Sequence, residues 1–160
     1  MLVEFQFTLL DLTLLEMKSN SGMRYIAKDE YQNKEIKLKE INGIYSLPVK
    51  LNDNLTIDFI LDLGASDVSI SQDVFSVLVK AGSIEQSDFI GEQNYQLADG
   101  TIVKSKVFNL KSLKIGEFEI ANVRASISNL TNSPLLLGQS ALKKLGKYQI
   151  DNTKLVLSIE

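Results

Sequence analysis

The chain has 160 residues, of which 44% are hydrophobic and 23% charged, with a formal net charge of -3. That is enough for one packed domain rather than two, and the mild, scattered charge offers no phosphate-binding surface, so nucleic acid is not an expected partner. The absence of His and Cys excludes imidazole bases, Ser-His triads, thiol nucleophiles, disulfides and most transition-metal sites; a hydrolase built from this sequence must use carboxylates, Lys, Tyr, hydroxyls or hard cations.

The opening stretch, MLVEFQFTLLDLTLLEM, is apolar but carries Glu4, Asp11 and Glu16 and lacks early positive charge. It fits neither a signal peptide nor a membrane helix, and reads as an amphipathic helix or added strand that covers apolar surface. From Lys18 to Asn33 the sequence turns polar, as a linker or arm does. Residues 1–33 are therefore expected to be an N-terminal extension and residues 34–160 the folded domain. The arm is a candidate regulator, able to cover a dimer surface or a cleft. No targeting signal is evident, so the cytoplasm is the default expectation for location.

Strands are expected from Glu35 onward. In Glu35–Lys39 apolar residues alternate with charged ones, the period of a half-buried strand. Asn42-Gly43 is a hairpin turn. Tyr45–Leu51 is a second strand, with Pro48 tolerated if it lies near an edge. Asp53-Asn54 turns the chain into Ile57–Leu61, apolar enough for a buried strand, which runs straight into Asp62-Leu63-Gly64-Ala65-Ser66. Val68–Ile70 alternates again. Ser71 is placed to cap a short helix from Gln72 to Ala81, with Asp73 in its first turn and Gly82 ending it.

The second half keeps the strand-turn rhythm. Tyr95–Ala98 and Thr101–Val103 flank Asp99-Gly100, which predicts a hairpin with a type I′ turn. Leu110–Ile115 and Phe118–Ile127 flank Gly116-Glu117. Leu135–Leu137 is a buried strand ending at Gly138, Ser140–Leu145 a short helix stopped by Gly146, and Tyr148–Ile150 with Lys154–Ile159 a closing hairpin. The expected fold class is all-β: a closed small β-barrel with one or two short helices.

Asp62 is the residue that demands an explanation. A carboxylate ending the most apolar strand is costly unless hydrogen-bonded. An Asx-turn, with Gly64 permitting the bend, is one account of it; a catalytic carboxylate is the other. Ser140, in Gly138-Gln139-Ser140-Ala141-Leu142, lacks a second Gly and any His to activate it, so helix capping explains it better than nucleophilic catalysis. Asp67 and Asp73 are accounted for by solvated loop and helix-dipole roles.

The run from Ile57 to Ser71, centred on Asp62-Leu63-Gly64-Ala65-Ser66, resembles the active-site strand and loop of single-lobe, retropepsin-like aspartic proteases. Leu97-Ala98-Asp99-Gly100-Thr101 resembles the flap of that family, and Leu136-Leu137-Gly138 its apolar-apolar-Gly element beneath the active site. The resemblance implies a barrel of the acid-protease type with Asp62 as the catalytic residue, one per subunit. It implies a homodimer in which two Asp62 carboxylates share a proton, a polypeptide substrate, and no metal or cofactor. One departure stands out. Position 63 is Leu where the family has Thr or Ser, and Leu63 can neither donate nor accept a side-chain hydrogen bond across the dimer. The alternative to a peptidase is therefore an inactive module of the same fold that binds polypeptide or mediates dimerisation.

Overall fold

The chain enters the fold on a strand that changes partners. In the computed structural model, which describes residues 34–160, β1 (Lys34–Lys37) pairs antiparallel with β11 (Val156–Ile159), whose other neighbour is β10 (Tyr148–Asp151). Leu38, buried and donating its N–H to the Leu155 carbonyl (2.8 Å), turns the corner. Beyond it β2 (Lys39–Ile41) pairs with β3 (Ile44–Leu51) in a second sheet. The alternation over residues 35–39 thus belongs to two short strands in different sheets. The expectations for the N-terminal arm fall outside the described residues.

Asn42 and Gly43 both have positive φ (54° and 79°) and join Ile41 to Ile44, the type I′ turn that a two-residue hairpin requires. β3 then pairs antiparallel with β4 (Leu55–Leu61). Pro48 lies beyond the last β2 pairing, Lys39↔Ser46, and before the first pairing of β3 with β7, Lys50↔Lys114. That stretch has no second neighbour, so a residue without an N–H costs no ladder bond there.

The remaining strands of this eight-stranded sheet are β5 (Val68–Ile70), β6 (Phe89–Gln96), β7 (Ile102–Ile115), β8 (Phe118–Ile127) and β9 (Leu136–Leu137), in the order β2-β3-β4-β9-β5-β8-β7-β6. Because β3 also pairs with β7, the path of hydrogen-bonded neighbours from β3 through β4, β9, β5, β8 and β7 returns to β3. Phe59, Leu47, Val49, Leu51, Ile70, Leu110, Leu113 and Leu137 form the middle of the core, all fully buried. β4 is less buried than its composition predicts: only Phe59 is fully enclosed, and Ile57, Ile60 and Leu61 are half-exposed. The strand is central by hydrogen bonding, yet one of its faces stays open.

Two short helices complete the fold. In α1 (Gln72–Lys80), Val74 and Leu78 are buried, and Ser71 has the extended backbone of an N-cap. Its side chain makes no capping bond; instead its carbonyl accepts the Phe75 N–H (3.0 Å). α2 (Gln139–Leu142) continues into a 3-10 turn over Lys143–Leu145 that ends at Gly146. Among the described residues no helix is long and apolar enough to cross a membrane.

Candidate active site

Asp62 follows β4 directly, and the parallel neighbour β9 fixes where it sits. Ile60 pairs with Leu136 and Leu61 with Leu137, and the ladder continues as the Asp62 N–H donates to the Leu137 carbonyl (3.2 Å). The chain then folds back on itself. Asp62 Oδ1 accepts the N–H groups of Gly64 (2.9 Å) and Ala65 (3.2 Å). The Asx-turn is therefore real, and it holds one carboxylate oxygen in place while Oδ2 has no partner among the described residues. A Cβ on Gly64 would lie 3.3 Å from Oδ1, so a side chain there would crowd the carboxylate.

Gly138 locks the loop from below. A Cβ at this position would lie 2.3 Å from the Asp67 carbonyl oxygen and 2.7 Å from that of Ala65, closer than any side chain can approach. The next two backbone N–H groups complete the clasp: Gln139 donates to Ala65 (2.8 Å) and Ser140 to Ser66 (2.9 Å). The Gln139 side-chain amide donates to the carbonyl of Leu63 (2.9 Å). That carbonyl is thus not left unpaired, although Leu63 brings no hydroxyl. The Leu63 side chain itself is 56% exposed.

Ser140 is not a helix cap. The cap position is Gly138, and the Ser140 hydroxyl accepts the Val68 N–H (2.8 Å) and donates to the Arg124 carbonyl (2.7 Å). It straps β5 to β8 beside the loop. The helix begins one residue earlier than the local sequence suggests, which turns this hydroxyl away from the helix end.

The hairpin of β6 and β7 differs from the expected turn. Its tip spans Leu97–Thr101: the Gly100 N–H donates to the Leu97 carbonyl (2.9 Å) and the Leu97 N–H to the Thr101 carbonyl (2.8 Å). Gly100 has φ 89°, whereas Asp99 has no positive φ. This is a four-residue turn closed by a glycine, not a type I′ turn. The reason is the Asp99 side chain, whose Oδ1 accepts the Thr101 N–H (2.9 Å). That bond also holds the Asp99 carboxyl below the usual carboxylate range. Among the described residues the tip makes no hydrogen bond to the Asp62 loop. Ala98 is exposed with the rest of the tip.

The link between hairpin and loop lies one step back from the tip. Asp67 is 8% exposed, so it is not the solvated loop residue that its sequence position suggests. Its Oδ2 accepts both the Tyr95 hydroxyl of β6 (2.6 Å) and Nε of Arg124 on β8 (3.0 Å). Arg124 also donates from Nη2 to Gln93 Oε1, again on β6. Burial first, then the hydrogen bond to Asp67, push the Tyr95 phenol up to about 12. Sequence reading missed Tyr95, Arg124 and Gln139. Arg124 did leave a signal, as a charge between the apolar residues Val123 and Ala125 of a strand.

The fold and the sequence match those of the retropepsin-like aspartic protease family. The chain belongs to that family: residues 47–144 match the family described as "gag-polyprotein putative aspartyl protease". Among solved structures, the fold is similar to the crystal structure of a retropepsin-like aspartic protease from Rickettsia conorii, with a TM-score of 0.54 and 24% sequence identity over 80% of this chain and 98% of that one. No curated protein sequence matches the chain.

Proposed function

We propose that this chain is a homodimeric aspartic endopeptidase, with residues 34–160 as the protease domain and residues 1–33 as an extension. Its catalytic dyad comprises one Asp62 from each subunit. The observation that carries this reading is the Asp62 carboxylate itself: Oδ1 is held by Gly64 and Ala65 N–H groups, which leaves Oδ2 to meet a partner or a water. Two such carboxylates a few ångströms apart share one proton. The ionised one takes a proton from a water as the water oxygen bonds to the scissile carbonyl carbon. The protonated one hydrogen-bonds the carbonyl oxygen as it gains charge. The C–N bond breaks as the leaving nitrogen receives a proton. We read the β3–β7 pairing as the closure of a small barrel beneath the site, and the Leu97–Thr101 tip as a flap over an extended peptide bound by strand pairing.

A second copy has an apolar surface to meet. Leu63 is 56% exposed, Ile44 51% and Ile41 69%. Ile41 pairs with Ile44 across the β2–β3 turn. The pairing of β3 with β4 begins two residues after Ile44, at Ser46↔Ile60, and Asp62 follows β4 directly. These exposed apolar side chains, on the Asp62 loop and on the β2–β3 hairpin, support a dimer packed through this part of the chain.

The second reading, a non-catalytic polypeptide-binding module, is favoured by Leu63 alone. The deciding experiment is cleavage of an unfolded protein between about pH 4 and 7 by wild type and Asp62→Asn, with sedimentation of both. Cleavage that disappears in a dimeric Asp62→Asn protein supports the peptidase. A wild-type dimer that cleaves nothing supports the binding module.

A further inference from the structure

The flap hairpin is held unevenly along its length. At its root, Phe89 of β6 packs against Phe75 of α1 (ring centroids 5.9 Å apart) and stands beside Phe108 of β7, which also meets Phe75 (5.5 Å). Directly after this aromatic anchor the β6–β7 ladder slips at a bulge between Phe89 and Gly91. Beyond the bulge β6 is exposed at every position except Tyr95, and Ile90, Leu97 and Ile102 stand in solvent. Such a segment would swing about the bulge unless something held it.

The Asp67–Arg124 pair is placed to hold it. Tyr95 and Gln93 lie two residues apart on β6 and so share one face; both bond to this pair, Tyr95 through Asp67 and Gln93 through Arg124. The pair is itself fixed. Asp67 is buried in the loop that follows Asp62, and its carbonyl faces Gly138. The Arg124 carbonyl accepts the Ser140 hydroxyl, which in turn accepts the Val68 N–H. A displacement of the flap strand must therefore break a charge-assisted hydrogen bond to a buried carboxylate.

We propose that Asp67 and Arg124 form a tether that sets the resting position of the flap over Asp62 through Tyr95 and Gln93, which makes these four positioning residues for the proposed reaction. The role in catalysis rests on the peptidase reading; the tether does not. The test is amide hydrogen exchange on the full chain, comparing wild type with Tyr95→Phe, Arg124→Met and the double variant. Tyr95→Phe removes one hydroxyl and leaves the ring, so the fold survives. Loss of the tether speeds exchange across residues 91–104 by about tenfold in each single variant, with the β7–β8 amides near Leu113 and Val123 unchanged. The double variant is faster than either single one, because Tyr95–Asp67 and Gln93–Arg124 are separate attachments of the flap strand to one pair. With a peptide substrate, Tyr95→Phe raises KM by about fivefold and leaves kcat within about twofold. Unchanged flap exchange, or flap exchange rising only in step with the core amides, overturns the proposal. Flap-selective exchange in a protein that cleaves nothing keeps the tether and removes the peptidase.

Discussion

Gln139 donates its side-chain amide to the backbone carbonyl of Leu63 at 2.9 Å, across 76 residues of sequence. The bond ties the residue after the proposed catalytic Asp62 to the first turn of α2, inside one subunit. Leu63 has no side-chain hydroxyl to anchor the loop, and the bond from Gln139 anchors it from the chain's own helix.

Gln139→Ala is accordingly expected to damage turnover more than stability. The bond is exposed, so its loss costs about 0.5–1.5 kcal/mol. A loop shift of about an ångström at Asp62 costs on the order of 100-fold in kcat. Urea unfolding and peptide cleavage, measured on the same preparation, separate the two effects. An equal loss in both would make Gln139 a stabilising residue only.

Gly138→Ala should behave in the opposite way. Its Cβ would meet backbone oxygens at 2.3 and 2.7 Å, and backbone, unlike a side-chain end, cannot swing aside. The loop or β9 must move, at a cost of about 2–4 kcal/mol. The expected result is a clear fall in the urea midpoint, with activity lost along with the fold. An unfolding free energy within about 0.5 kcal/mol of wild type would mean that the clasp under Asp62 is looser than these contacts imply.

The landmarks legible in the sequence are those written in consecutive residues. The apolar run into Asp62 and Leu136-Leu137 each carry a local pattern and lie in strands, and Asp99-Gly100 lies at a hairpin tip, although its turn is of another type. What could not be read is set by pairs far apart in the chain. Tyr95 and Asp67 are 28 residues apart, Arg124 and Asp67 57, and no periodicity marks such a contact. Ser140 was misread for the same reason. Along the chain it sits where a cap would sit, but its partners come from β5 and β8. The turn at Asp99 was misread because a side-chain bond to Thr101 overrode the backbone preference of the Asp-Gly pair.

Tyr95 also gives a pH signature. Its phenol is raised to about 12 from an ordinary 10.0, so the folded state holds this proton more tightly than the unfolded chain does. The stabilisation is whole below pH 10 and is lost as pH rises through about 12. Tyr95→Phe never has it. The urea midpoints of wild type and Tyr95→Phe should differ by a constant amount below pH 10 and converge towards pH 12. A gap that stays constant to pH 12 would show that the hydroxyl does not bond to Asp67 in solution.

The exposed apolar residues Ile44 and Leu63 yield the last prediction. If Ile44 and Leu63 meet a second copy, Ile44→Lys sets two ammonium groups near one another at the two-fold axis, with desolvation added. Each subunit should still fold, because Ile44 is half-exposed at a hairpin end and the core does not use it. The dimer should weaken by roughly 100-fold, the scale of about 3 kcal/mol for a buried unpaired charge. Activity should then rise with the square of protein concentration in the dilute range, since each proposed active site combines two chains. Leu63→Thr tests the other half of the idea: it exchanges an apolar contact for a hydroxyl, so the dimer should weaken if the interface packs around leucine, and persist if that side chain lies outside it. Sedimentation at several concentrations separates these outcomes. An Ile44→Lys protein that dimerises as tightly as wild type would move the interface away from this surface.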